Sequence, residues 1–170
     1  MKKTIFALVL AFSSFFSGTA QDVSVKYQGE VDLGYSVGVG TFSQGRVNLH
    51  TVQGVKISDY FSTGLGLGLD YYHDLYSNVG SGELFIPIFL NMKGYIPVTS
   101  KLSPFVSLDL GYGIGATEGV SGCGGFLWSP SIGVRYSHFQ FQIGYTSQRI
   151  SESGIGFNMD AVQFKIGFVF

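Results

Sequence analysis

Three histidines, His50, His73 and His138, have the widest chemical reach in this chain. A hydrolase or acyltransferase centre needs a histidine within reach of a hydroxyl and a carboxylate. Only His73 has both nearby, with Asp74 beside it and Ser77 four positions on. His50 sits within an alternating segment, where a place in a hydrogen-bond network suits it better than the role of a base. His138 follows Ser137 in a short polar break. No pair of histidines and no carboxylate cluster has metal-ligand spacing, so no metal site is expected. Gly111, Gly113 and Gly115 look like a phosphate loop, but such a loop must lead into a helix. Here they alternate with Leu110, Tyr112 and Ile114 as in a strand. The run Gly122-Cys123-Gly124-Gly125 reads as a flexible loop. Cys123 is the only cysteine, which excludes an intramolecular disulfide and leaves a solitary thiol or a link between two chains. These residues point to a protein without catalytic centre or cofactor.

Charge offers a second kind of chemistry. Glu30, Asp32, Asp70 and Asp109 share one stripe of the alternating pattern with Arg46, Lys56, Lys93, Arg135 and Lys165. Such a mixture can pair internally, or it can line a path for ions. Which of these applies depends on the elements that carry it.

The first twenty residues stand apart. Lys2 and Lys3 precede an apolar run from Ile5 to Phe16, and Ser17, Gly18, Thr19 and Ala20 are small. This is the pattern of a signal peptide cut after Ala20. The run is too short for a spanning helix, which needs about 20 apolar residues. Removing Lys2 and Lys3 leaves eight basic residues against eleven acidic ones, a net charge of −3 for 21–170. That balance excludes a nucleic-acid binder, which would cluster Lys and Arg. Charged residues are only 12%, about half the usual share of roughly 25%. Much of the surface is therefore expected to meet something other than water.

After residue 20 the sequence alternates with a period of two, the mark of strands with unlike faces. Val31, Leu33, Tyr35 and Val37 share one parity, with Glu30, Asp32, Gly34 and Ser36 on the other. Eight such segments are expected, at about 23–39, 46–57, 61–71, 84–96, 105–116, 126–136, 139–147 and 160–170. Their connections alternate in length. Longer loops fall at 40–46, 72–83, 117–125 and 148–159, and tight turns at 58–60, 99–103 and 137–138. Eight strands joined alternately by turns and loops describe an all-β, eight-stranded antiparallel up-and-down transmembrane β-barrel filling 21–170.

Alternation alone also fits a soluble barrel with its apolar face inward. The polar parity, however, is rich in glycine and poor in charge, which suits a narrow lumen better than a wet exterior. Aromatic residues also gather near the ends of the apolar parity. Tyr27, Phe61, Tyr136, Phe139 and Phe170 lie at the turn end, and Tyr71, Phe126, Trp128 and Phe157 at the loop end. Two such belts are the girdles expected at membrane interfaces. The polar parity is thus assigned inward, with Phe85, Phe89 and Tyr95 facing rows of glycine at 64, 66, 68, 111, 113 and 115.

The last strand, Val162-Gln163-Phe164-Lys165-Ile166-Gly167-Phe168-Val169-Phe170, resembles the terminal strand by which the barrel assembly machinery recognises its clients. Phe164, Phe168 and Phe170 carry that resemblance. The motifs Ile86-Pro87-Ile88-Phe89-Leu90-Asn91, Tyr95-Ile96-Pro97 and Gly111-Tyr112-Gly113-Ile114-Gly115 resemble small outer-membrane β-barrel proteins of Bacteroides-type bacteria. The architecture is similar to the OmpA and OmpX barrels, without a periplasmic domain. The resemblance implies a cell outer membrane location and contact with its lipid and lipopolysaccharide. It also implies a role at the cell surface through the loops. Enzymes of lipid A exist on barrels of this size, but none of the three histidines lies in a His-x-Ser pattern like theirs. An eight-stranded lumen is only wide enough to be filled by side chains. The charged stripe is therefore expected to plug the barrel, with a narrow pore as the alternative.

Overall fold

The computed structural model describes residues 24–40, 44–73, 82–152 and 155–170. The signal peptide expected at 1–20 lies outside them. Eight strands run in chain order: β1 Val25–Gly38, β2 Arg46–Ile57, β3 Phe61–Tyr72, β4 Glu83–Tyr95, β5 Leu102–Gly115, β6 Gly124–Tyr136, β7 Phe139–Glu152 and β8 Ile155–Val169. Each pairs antiparallel with the next, and β8 pairs with β1, so the sheet closes into a barrel. Closure leaves no strand edge unpaired, which removes the main hazard of an isolated sheet. The closing seam pairs Glu30 with Val169 through Gly38 with Ala161, and Gly29 and Phe170 exchange backbone hydrogen bonds at its end. The register leads from Gly34 through Asn48, Asp70, Phe85, Gly115, Cys123, Glu152 and Ile155, and extrapolates back to β1's side of the barrel at position 44, a stagger of ten residues. Such a stagger tilts the strands and sets the bore of the barrel.

The two faces are the inverse of those of a soluble barrel. Leu33, Leu65, Leu67, Ile132, Phe141 and Ile166 point outward and are exposed, Leu65 by 69%. Charged and amide side chains point inward and are buried. Both aromatic belts face outward: Tyr27, Tyr136, Phe139 and Phe170 at the turn end, and Tyr71, Phe126, Trp128 and Phe157 at the loop end.

The long loop expected at 148–159 is instead mostly strand. β7 and β8 stay paired through Arg149 and Asn158, Ile150 and Phe157, up to Glu152 and Ile155. Alternation hides this extension, because Ser, Gln and Arg on β7 replace the apolar partners that mark the earlier part. The expected loop at 117–125 folds into a 3-10 turn, Glu118–Val120, before β6 begins. At 137–138 the tight turn is present, with Tyr136 paired to Phe139. Ser137 and Ser58 both hold positive φ, 56° and 59°, a region that a Cβ makes costly.

Two prolines interrupt the ladders on one side only. Pro87 keeps its partner Gly113 on β5, but the β3–β4 pairing skips from Leu67–Ile88 to Asp70–Phe85. Pro130 keeps Leu108 on β5, while the β6–β7 pairing skips from Trp128–Ser147 to Ser131–Gly144. A proline has no N–H to donate, so the gap opens on the side its nitrogen faces.

Candidate functional site: the lumen network

Inward-facing side chains stack in three polar belts below an apolar cap. In the belt nearest the turns, Lys93 on β4 forms an ion pair with Glu30 on β1. Gln140 of β7 ties both carboxylates of β1 together, donating to Glu30 (3.0 Å) and Asp32 (2.6 Å), while its carbonyl accepts from Lys93 (3.1 Å). The Lys93 ammonium also lies over the Phe105 ring, 5.1 Å from its centroid. Gln28 extends the belt, donating to Glu30 (2.8 Å) and to the Tyr95 hydroxyl (3.1 Å). Arg135 donates to the Gln28 carbonyl (2.9 Å).

The middle belt spans β4, β5 and β8. Lys165 meets Asp109 at 3.2 Å, and the Asn91 amide donates to Asp109 and to Ser107. The third belt is built on Asp70 of β3. Its Oδ1 accepts from Asn48 (2.6 Å) and lies 2.8 Å from His50 Nε2, and Arg46 approaches Oδ2 at 3.8 Å. Arg46 also donates to Thr146 (2.8 Å), to Gln148 (3.1 Å) and to the Tyr72 hydroxyl.

Above it, Tyr72, Phe85, Val120, Cys123, Ile150 and Met159 form a buried apolar cluster. Val120 enters from the 3-10 turn, which is held by Thr117 bonding to Glu83 and to the Leu84 amide. Cys123 is one of this cluster's buried members.

Size complementarity governs the rest of the bore. A Cβ at Gly66 would strike the Phe89 ring, one at Gly111 the Phe89 stem, and one at Gly113 the Gln148 amide. Of the three rings expected to face glycine, Phe89 does so, against Gly66 and Gly111; Phe85 packs on Tyr72 and Tyr95 on Phe105, with centroids 5.3 and 5.7 Å apart. A glycine opposite a ring lets two strands share a space that a side chain on each would overfill.

The structure brings together most, not all, of the charged stripe seen in the sequence. Glu30, Asp32, Arg46, Asp70, Lys93, Asp109 and Lys165 are buried in the lumen. Lys56 lies at the turn-end mouth, half-buried, where it pairs with Asp59 at 3.1 Å and reaches over the Tyr95 ring of the turn-side belt, 5.6 Å from its centroid. Arg135 is partly exposed at the same end and also bonds the Ser137 carbonyl. The residues that join the ion pairs, Gln28, Asn48, His50, Asn91, Gln140, Thr146 and Gln148, carry little charge and no motif. Their inward parity was the available signal. Of the histidines, His73 is exposed beside the rings of Tyr71 and Tyr35, and its neighbours Asp74 and Ser77 lie outside the described residues. His138 sits in the last turn with Nδ1 3.0 Å from the Val169 carbonyl oxygen. Among the described residues no group of three or more His, Cys, Asp or Glu could hold a metal ion. Phe164, Phe168 and Phe170 all face outward on or at the end of β8, where Phe168 packs against Phe139 with centroids 5.5 Å apart.

No family model matches the sequence, and no curated protein matches it either. Solved structures do share the fold. Neisserial surface protein A superposes with a TM-score of 0.60 at 13% identity, covering 86% of this chain and 97% of that one. The outer membrane enzyme PagL gives 0.57 at 10% identity, covering 83% and 98%. The N-terminal β-barrel domain of Pseudomonas aeruginosa OprF gives 0.50 at 15% identity, covering 86% and 100%. At these identities the likeness is one of fold: the chain is a closed, eight-stranded antiparallel β-barrel of the kind found in outer-membrane proteins.

Proposed function

We propose that this chain is a non-enzymatic outer-membrane β-barrel with a plugged lumen, acting at the cell surface through its loop end. The observation that carries the reading is the inverted distribution of polarity. Apolar side chains cover the outside between two aromatic belts, and ion pairs fill the inside. An exterior of that kind is stable in hydrocarbon and unstable in water. Outer-membrane lipid and lipopolysaccharide are then its immediate partners. The outward aromatics Phe164, Phe168 and Phe170 serve as the handle for the barrel assembly machinery. The strand motifs shared with small barrels of Bacteroides-type bacteria support the same assignment, as does the leader-like pattern of 1–20.

The plug reading rests on the crossed ion pairs and on the apolar cap that closes the loop end. Between the upper and middle belts lies a small hollow of about 10 Å³. The test is conductance of the purified protein in planar bilayers. Silence is expected. Steady single-channel steps would replace the plug with a narrow pore for small solutes or ions. For an enzymatic role His73 is the residue to probe, and His73→Ala should leave the lipid A mass profile of expressing cells unchanged. A shifted profile would convert the reading to a lipid-modifying enzyme.

A further inference from the structure

The small interior hollow lies where two charge clusters fail to meet. It is lined by Arg46, His50 and Asp70 of the upper belt, by Asp109 and Lys165 of the middle belt, and by Ser129. Three polar atoms of its lining residues are fully buried without a hydrogen-bond partner: Arg46 Nε, His50 Nδ1 and Asp70 Oδ2. A buried polar atom left unpaired costs about 1–3 kcal/mol, so Arg46 Nε and Asp70 Oδ2, carried by two residues that line the same hollow, call for an occupant. The surroundings define that occupant. It must both donate and accept, because Arg46 Nε is a donor and Asp70 Oδ2 an acceptor. It must be uncharged, because Arg46 and Lys165 repel a cation, and Asp70 and Asp109 repel an anion. It must be small, because a hollow of about 10 Å³ holds roughly one water and nothing larger.

We infer that the lumen holds one ordered water between Asp70 and Arg46, in the hollow that the Asp109–Lys165 pair also lines, so that it links the upper charge belt to that pair. The water turns two separate clusters into a single hydrogen-bonded network crossing the barrel. Because the apolar cap of Tyr72, Phe85 and Val120 closes the loop end above it, the water exchanges slowly with bulk solvent. The inference does not depend on whether the barrel conducts: a conducting barrel with this water in place would sink the plug and leave the site standing.

The test is a crystal structure of the full chain in detergent or lipid at a resolution that shows ordered solvent. A density peak within hydrogen-bond distance of Asp70 Oδ2 and of Arg46 Nε is expected. An empty hollow overturns the inference, and so does a repacked one in which Arg46 or Lys165 bonds Asp70 Oδ2 directly. In solution, oxygen-17 relaxation dispersion counts long-lived internal waters. Replacing Leu127, a buried wall of the hollow, with Met sends a longer side chain into the space and should lower that count by one. Heat-shifted migration of the L127M protein verifies that it has folded, and an unchanged count in folded L127M contradicts the site.

Discussion

Lys93 is the residue on which the turn-side belt converges, since it pairs with Glu30 and accepts support from Gln140 and the Phe105 ring. Buried charges of this kind stabilise little as a pair, but removing one partner strands the other in a low dielectric. Lys93→Met should therefore destabilise the barrel by about 3–5 kcal/mol, read as a lower urea midpoint in detergent. Adding Glu30→Gln to that variant should restore much of the loss. Equal loss in single and double variants would show that the two side chains do not act as a pair. The sequence showed the two charges and their shared face. It could not show that they meet, because they come from β1 and β4, 63 residues apart, and only the stagger of the barrel brings them together. Lys56 has the same parity as Lys93 but lies at the mouth, where it pairs with Asp59 and reaches over the buried Tyr95 ring, 5.6 Å from its centroid.

At the scale of strands, the facing assignment has direct consequences. Leu67 and Ile132 are outward and exposed, so replacing either with Arg should cost about 2–4 kcal/mol if it lies near mid-membrane. Gly66→Arg should act by another route, forcing the Phe89 ring aside within the bore. Equal and negligible effects at all three sites would show that this assignment of faces is wrong. The hairpin between β6 and β7 offers a gain. Ser137 holds a left-handed conformation that Asn adopts more readily. Ser137→Asn should then raise stability by about 0.5–1 kcal/mol, and Ser137→Val should lower it. A parallel fall for both would show that the Ser137 side chain matters more than its backbone. Strand number and facing were legible because alternation repeats eight times. The outer part of the β7–β8 hairpin was not. Above Trp128 of the loop-end belt both faces of a strand can be polar, and the period-two signal fades while the backbone pairing continues to Glu152 and Ile155. The cap was likewise hidden, since Val120 and Met159 sit in stretches read as loop.

As a whole molecule, the barrel should resist sodium dodecyl sulfate at room temperature. Its band should migrate faster unheated than boiled, because every strand has two partners and no edge admits detergent. An outer-membrane fraction without that shift would argue against a closed barrel, and recovery from the soluble periplasm would reverse the faces.

The seam between β1 and β8 has one further consequence, in the order of biogenesis. It joins Gly29 to Phe170, so the first strand made must wait for the last one. Contacts this distant in sequence are slow to form and gain nothing until both ends are present. A nascent chain short of β8 carries two raw edges and a full apolar face, which favours pairing with other chains. Closing is thus a single late event. Before it, the open chain is at its most prone to associate with other chains, so refolding yield should fall as protein concentration rises, more steeply than the strength of any one contact in the finished barrel would suggest.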